Sequence, residues 1–291
     1  MTALFTLVKR NMKLYFGDRA QVFFSLLGAM LAIILVQLFL KSTLVDSVTA
    51  ALGGTASRDD VSHLLDVWLI ASAAVIASAT TGLGALGQFV DDRETARWRD
   101  FLVTPLQRWT IVAGYLTAGA VVSLIMTTVV YGLGTAYCLA LGAPLAPRDV
   151  LIGWSWLVLS SFGFTALMGF VVSLLGTRAS FVGVSVIVGT AFGFLSGTYV
   201  TTGSLPTGVV RVLNTLPFAQ ASALVRAPYT SQVMATLPSQ VRDVTAEKLG
   251  IELWIGQTAV TAPMTAAVLV AMAVVFSLGA WAVMTRTVRH G

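Results

Sequence analysis

Six stretches of this chain carry no Asp, Glu, Lys, Arg or His: residues 20–40, 67–90, 109–147, 150–177, 179–210 and 253–285. They take up 177 of the 291 residues, and the shortest has 21. A helix needs about 20 apolar residues to cross the hydrocarbon core of a bilayer. The runs lack the polar–apolar alternation of barrel strands. They predict an all-α membrane protein with six transmembrane helices.

Composition agrees. Only 11% of residues are charged, against about 25% in soluble domains. The 56% apolar share and the mean hydropathy of +0.85 exclude a disordered chain. The single cysteine, Cys138, can form no disulfide within the chain and reads as a small packing residue.

Charge placement predicts orientation. With the N-terminus inside, the inner segments 1–19, 91–108, Arg178 and 286–291 hold 11 basic and five acidic residues. The outer segments hold seven basic and eight acidic residues. Basic residues collect on the cytoplasmic side, so both termini are expected in the cytoplasm. This accounts for the sequence pI of about 9.7 without a nucleic-acid partner. The apolar part of residues 1–40 is too long for a signal-peptide core, and a retained first span is expected.

The chain divides as a single transmembrane domain, 1–291, with spans at 22–40, 67–90, 111–141, 150–174, 181–202 and 263–285. Residues 1–21 form an amphipathic interface helix. Phe5, Val8, Met12, Tyr15 and Phe16 recur at helical spacing, with Lys9, Arg10 and Lys13 between them. Such a helix suits the headgroup plane of an anionic membrane. Residues 203–262 form an extracellular segment containing Pro206, Pro217, Pro228 and Pro238. Within it, 205–227 is expected to form a re-entrant or interfacial hairpin before the last span, and 229–252 a small exposed helical cap. Gly189, Gly193 and Gly197 form a row whose spacing suits close helix packing.

Several chemistries have no residues to carry them. No Asp, Glu, Lys, Arg or His lies deep in any of the six runs, which disfavours a proton relay. The two histidines, His63 and His290, have no metal-ligand company. None of the four lysines completes a GxxxxGK[ST] phosphate loop.

The most specific segment is the cytoplasmic loop 91–108. Asp91, Asp92 and Glu94 lead, and Arg97 and Arg99 follow, the order that suits a helix dipole. Trp98, Phe101 and Leu102 share an apolar face, and Pro105 ends the helix. A short amphipathic helix with an aromatic anchor reads either as a snorkelling, lipid-facing loop or as a docking knob for a cytoplasmic partner. Here the chain resembles the permease subunits of type 2 ABC transporters of the exporter class. Arg93-Glu94 and Leu102-Val103-Thr104-Pro105-Leu106 match their coupling loop. Gly197-Thr198-Tyr199-Val200, Leu205-Pro206, Leu216-Pro217 and Ala223-Leu224-Val225-Arg226 resemble their outer loop. Lys9-Arg10-Asn11 to Arg19 resembles their interface helix. One departure is Ala96-Arg97-Trp98, where the family has a Gly-Thr-apolar step.

The resemblance implies a transporter subunit with no ATPase site of its own. A second permease chain, as homo- or heterodimer, and a cytoplasmic ABC ATPase subunit would complete it in a bacterial plasma membrane. This chain would bind no cofactor, and ATP and magnesium would sit on the ATPase. Asp92, Arg93, Glu94, Arg97, Trp98, Arg99, Asp100 and Phe101 would carry ATPase coupling. Phe23, Gln37, Thr80, Thr81, Phe192 and Phe194 are candidate path-lining residues for an amphiphilic or hydrophobic substrate such as a drug, lipid, glycolipid or peptide. An ion-coupled carrier and a ligand-binding immunity or sensor protein are the alternatives.

Overall fold

The computed structural model describes residues 2–51, 57–97 and 106–290. Helix α1 (Thr2–Gly17) stops at Asp18, whose side chain accepts a hydrogen bond from Gln21 N at 3.0 Å and caps α2 (Arg19–Leu35). The helix then widens into a π turn at Val36–Leu40 and resumes as α3 (Lys41–Ala51). Ser57 caps α4 (Arg58–Glu94), the longest helix described, through Asp60 N. Next come α5 (Arg108–Ala140), α6 (Pro147–Ser173) and α7 (Arg178–Leu195). A 3₁₀ turn (Thr202–Ser204) leads to α8 (Thr207–Thr215), α9 (Pro217–Thr236) and α10 (Ser239–Lys248). Two short strands, β1 (Trp254–Ile255) and β2 (Thr258–Ala259), pair antiparallel before α11 (Ala262–His290).

Among the described residues, six helices are long and apolar enough to cross a membrane. They are Arg19–Ala50, Arg58–Glu94, Arg108–Ala140, Pro147–Ser173, Arg178–Leu195 and Ala262–Arg286. The fold is therefore the all-α, six-span membrane class that the uncharged runs predict.

Helix α4 is the axis of the bundle, with α2, α5, α6, α7 and α9 around it. Nearly every residue from Leu64 to Val90 is buried, and many are Ala, Ser, Thr or Gly. Small residues let neighbouring backbones approach where lipid offers no hydrophobic drive between helices. At Gly87 an added Cβ would lie 2.7 Å from the Phe181 ring, so α7 can approach α4 only because glycine is there. By contrast, α7 is exposed along most of its length, with Val182, Val186 and Ile187 uncovered.

The structure corrects three expectations. First, α4 begins well before residue 67, so Asp66 lies inside a long helix and is 1% exposed. Its charge is tolerated because Lys41 Nζ reaches both carboxylate oxygens at 2.7 and 2.8 Å and Gln37 Nε2 donates at 2.7 Å. Second, the 229–252 segment is not an exposed cap along its whole length, and the two helices it draws on start at prolines. Pro217 opens α9 at a position where no backbone N–H is needed. Helix α9 packs against α4 and α6, and Tyr229, Thr230 and Val233 are buried, not part of an exposed cap. Third, the glycine row is not one packing stripe. Gly189 supplies the carbonyl against Gly28 of α2, 3.3 Å from where a Cβ there would sit. Gly193 makes room for the Tyr199 ring. Gly197, at φ +67°, ends α7 at Leu195 in a Schellman motif, with Thr198 N donating to Gly193 O and Gly197 N to Phe194 O, each at 3.0 Å. The helix thus stops short of residue 202.

Candidate functional site

The last turn of α4 carries Asp91, Asp92, Arg93 and Glu94, and each is tied to another element. Asp92 is 1% exposed. Its carboxylate accepts from Arg10 Nη1 at 2.8 Å and Nη2 at 3.1 Å, from the Tyr115 hydroxyl at 2.6 Å and from Gln88 Nε2 at 3.0 Å. Three helices, α1, α4 and α5, therefore meet on one carboxylate. Burial works to lower the Arg10 guanidinium, but the hydrogen bond and charge of Asp92 outweigh it and hold Arg10 above its ordinary value.

The neighbouring side chains reach α7. Arg93 Nη1 donates to Leu175 O at 2.8 Å, closing the turn between α6 and α7. Glu94 accepts from the backbone N–H of Arg178 at 2.8 Å. That amide is one of the unpaired donors at the start of α7, where an acid is favoured. Arg178 in turn forms an ion pair with Asp91. Asp92, one of the residues expected to carry ATPase coupling, faces inward and holds the helix end in place. Glu94 and Arg97 are exposed. Trp98, Arg99, Asp100 and Phe101 lie outside the described residues.

Between Glu94 and Arg97 sits Ala96 with φ +56°, the one non-glycine residue at positive φ among those described. The chain leaves α4 through a left-handed step that glycine adopts freely and alanine does not.

A second feature starts from the same end of α7. A groove of about 560 Å³ runs between α2, α4 and α7. Phe24, Gly28 and Leu31 line one wall, Val182, Val186 and Gly189 the other, and Thr80 the floor. Most of its hydroxyls bond within their own helix: Thr80 to Ile76 O, Ser185 to Phe181 O and Thr190 to Val186 O. The walls are therefore effectively apolar. Polar groups gather at one end, where Asp18, Gln21 and Arg178 lie.

Only Thr80 of the six path candidates lines this groove. Phe23 lies on the exposed side of α2, half uncovered. Gln37 is turned to Asp66. Thr81 is buried and donates to Ala77 O at 2.6 Å. Phe192 packs edge-on against Phe164 and Phe218. Phe194 is half exposed and stands edge-on to Tyr199. The lining residues that sequence reasoning missed do carry a signal. Both Phe24-Gly28-Leu31 and Val182-Val186-Gly189 have the i, i+4, i+7 spacing of one helix face. The spacing alone does not say which of several apolar faces meets another.

Comparison with curated proteins gives no match. The family described as ABC-2 type transporter matches residues 2–229. That range takes in the α4 network and all three walls of the groove. Permeases of this kind have no ATPase site of their own and work with a partner ATPase subunit. The chain therefore belongs to the ABC-2 type transporter family, as the multi-pass transmembrane subunit of an ABC transporter.

Proposed function

We propose that the chain is one permease half of an ATP-driven exporter of amphiphilic or hydrophobic molecules such as drugs, lipids, glycolipids or peptides. The groove between α2, α4 and α7 is then half of the substrate path, and a second permease chain supplies the other half. The observation that carries this reading is the connection at Arg178. This residue lines the groove and is bound to Asp91 and Glu94, at the helix end from which the 91–108 coupling loop departs. Movement of that loop by an ATPase would be passed to a groove wall through two short polar links.

The walls suit apolar substrate parts, and the Asp18–Gln21–Arg178 end suits a polar head. ATP and magnesium belong to the ATPase subunit, and nucleotide state biases the permease between inward- and outward-open forms. The surplus of basic residues in the inner segments supports cytoplasmic termini, and the membrane would be a bacterial plasma membrane.

The test is reconstitution. The chain, co-expressed with ABC ATPase subunits from its own genome, is expected to co-purify with one and to give ATP-dependent dye or lipid efflux from vesicles. No ATPase association and no flux would sink the exporter reading. Topology has its own test. A Gln240→Cys label on the cytoplasmic side, in a Cys138→Ser background, would overturn the orientation.

A further inference from the structure

The elbow between α1 and α2 holds a shallow depression that shares Asp18 with the groove and Arg10 with the α4 network, while its Lys13 and Arg19 belong to neither. Arg10, Lys13, Leu14, Gly17, Asp18 and Arg19 line it, over a volume of about 870 Å³. Three cations thus face one acid. That acid is already engaged, since Asp18 caps α2 through Gln21 N. Lys13 and Arg19 are exposed and belong to no ion pair among the described residues. Residues 2–17 contain no Asp or Glu at all.

The rest of α1 shows which way the depression looks. Leu7, Asn11 and Tyr15 are buried on one face, with Leu7 against Gly114 and the Tyr15 hydroxyl 2.5 Å from Ser25 Oγ. The opposite face presents Phe5 and Phe16 beside Lys9 and Lys13. Exposed aromatics interleaved with lysines match the boundary between headgroups and acyl chains.

We propose that this depression is a binding site for the phosphate headgroup of an anionic phospholipid. Lys13 and Arg19 supply the charge, Leu14 meets the glycerol and upper acyl region, and Phe5 and Phe16 anchor the helix alongside. Arg10 lines the same depression while holding Asp92, so headgroup occupancy is felt at the end of α4. The site would make coupling sensitive to the anionic lipid content of the inner leaflet. This regulatory part rests on the exporter reading and on the cytoplasmic placement of α1; binding itself does not require nucleotide.

The experiment uses the purified full chain in a neutral detergent and follows its melting temperature. Three probes are titrated separately: dihexanoyl phosphatidylglycerol, dihexanoyl phosphatidylcholine and inorganic phosphate. Phosphatidylglycerol is expected to raise the melting temperature by several degrees at saturation, and the other two are not. The pair Lys13→Gln and Arg19→Gln is expected to weaken the phosphatidylglycerol response about thirtyfold, and each alone about fivefold. Arg58→Gln, at an exposed cation elsewhere, should leave it intact. An equal shift with inorganic phosphate would assign the site to free anions and overturn the lipid proposal. A double variant that responds like the native chain, or an equal loss in Arg58→Gln, would reduce the effect to general charge and also overturn it. A chain that binds the headgroup yet drives no flux would refute the exporter reading alone.

Discussion

Arg226 is 1% exposed and has no acidic partner among the described residues. It is held by acceptors alone. Nε donates to Ser72 Oγ at 2.8 Å, and Nη1 to Leu249 O and Gly250 O at 3.3 Å each. Nη2 donates to Ser196 O at 3.0 Å and to Thr198 Oγ1 at 3.1 Å. The guanidinium also lies over the Trp68 ring, 4.7 Å from its centroid. One side chain of α9 thus joins α4, the end of α7 and the turn after α10. Arg226→Met keeps the volume and removes the donors. Leu249 O would keep the Trp68 Nε1 bond, and Ser196 Oγ and Thr198 Oγ1 would keep each other. Ser196 O and Gly250 O would be left without these donors. A buried acceptor left unpaired costs about 1–3 kcal/mol, and losing the cation–π contact adds about 1 kcal/mol. Relief from burying a charge offsets part of this. A net loss of about 3 kcal/mol follows, which for a chain of this size lowers the melting temperature by about 6 °C or more. Thermal denaturation of purified protein in detergent reads it directly. Ser72→Ala sharpens the test: about 1 kcal/mol alone, and close to nothing in the Arg226→Met background, because the shared bond is already gone. A melting temperature within about 1 °C of native for Arg226→Met, or equal Ser72→Ala costs in both backgrounds, would refute the clamp.

Other outcomes follow from the same contacts. Ala96→Gly removes the left-handed strain at φ +56° and is expected to stabilise the chain by about 0.5–1 kcal/mol; a lower melting temperature would count against that backbone geometry. Asp92→Asn breaks the buried bidentate pair with Arg10 and is expected to cost about 3–5 kcal/mol; a change under about 1 kcal/mol would mean the pair holds nothing together. With Cys138 replaced by Ser, Thr80→Cys should react with a membrane-permeant maleimide and Thr81→Cys should not, since only Thr80 lines the groove. Equal labelling of the two would remove the groove assignment.

Much of the architecture was legible because hydrophobic length is a local property. Each uncharged run is long enough to span by itself, whatever it packs against. The site was less legible because its residues are defined by partners. Asp92 and Asp66 look alike at the ends of uncharged runs, and both turn out to be buried. What rescues them lies 82 residues away at Arg10 for the first and 25 residues away at Lys41 for the second. Periodicity cannot supply such pairings. That five of the six path candidates lie away from the groove has a related reason. Residue type and span position name candidates, while the groove is set by which faces of α2 and α7 the bundle leaves uncovered. Whether a proline after residue 203 falls at the first turn of a helix, as Pro217 does, or inside one, as Pro228 does, is likewise decided by the fold.

By itself the sequence determined that the chain is a helical membrane protein, roughly where its spans lie, and which end of each carries the basic residues. These follow from the cost of leaving charge and backbone polar groups in hydrocarbon, which every segment meets alone. Only the tertiary structure decided that α4 is the shared axis, that Asp92 and Arg226 hold the bundle together from inside, and that α2 and α7 leave a groove between them. Those depend on distances between residues far apart in the chain, and a buried charge is stabilised or ruinous according to what is placed within about 3 Å of it.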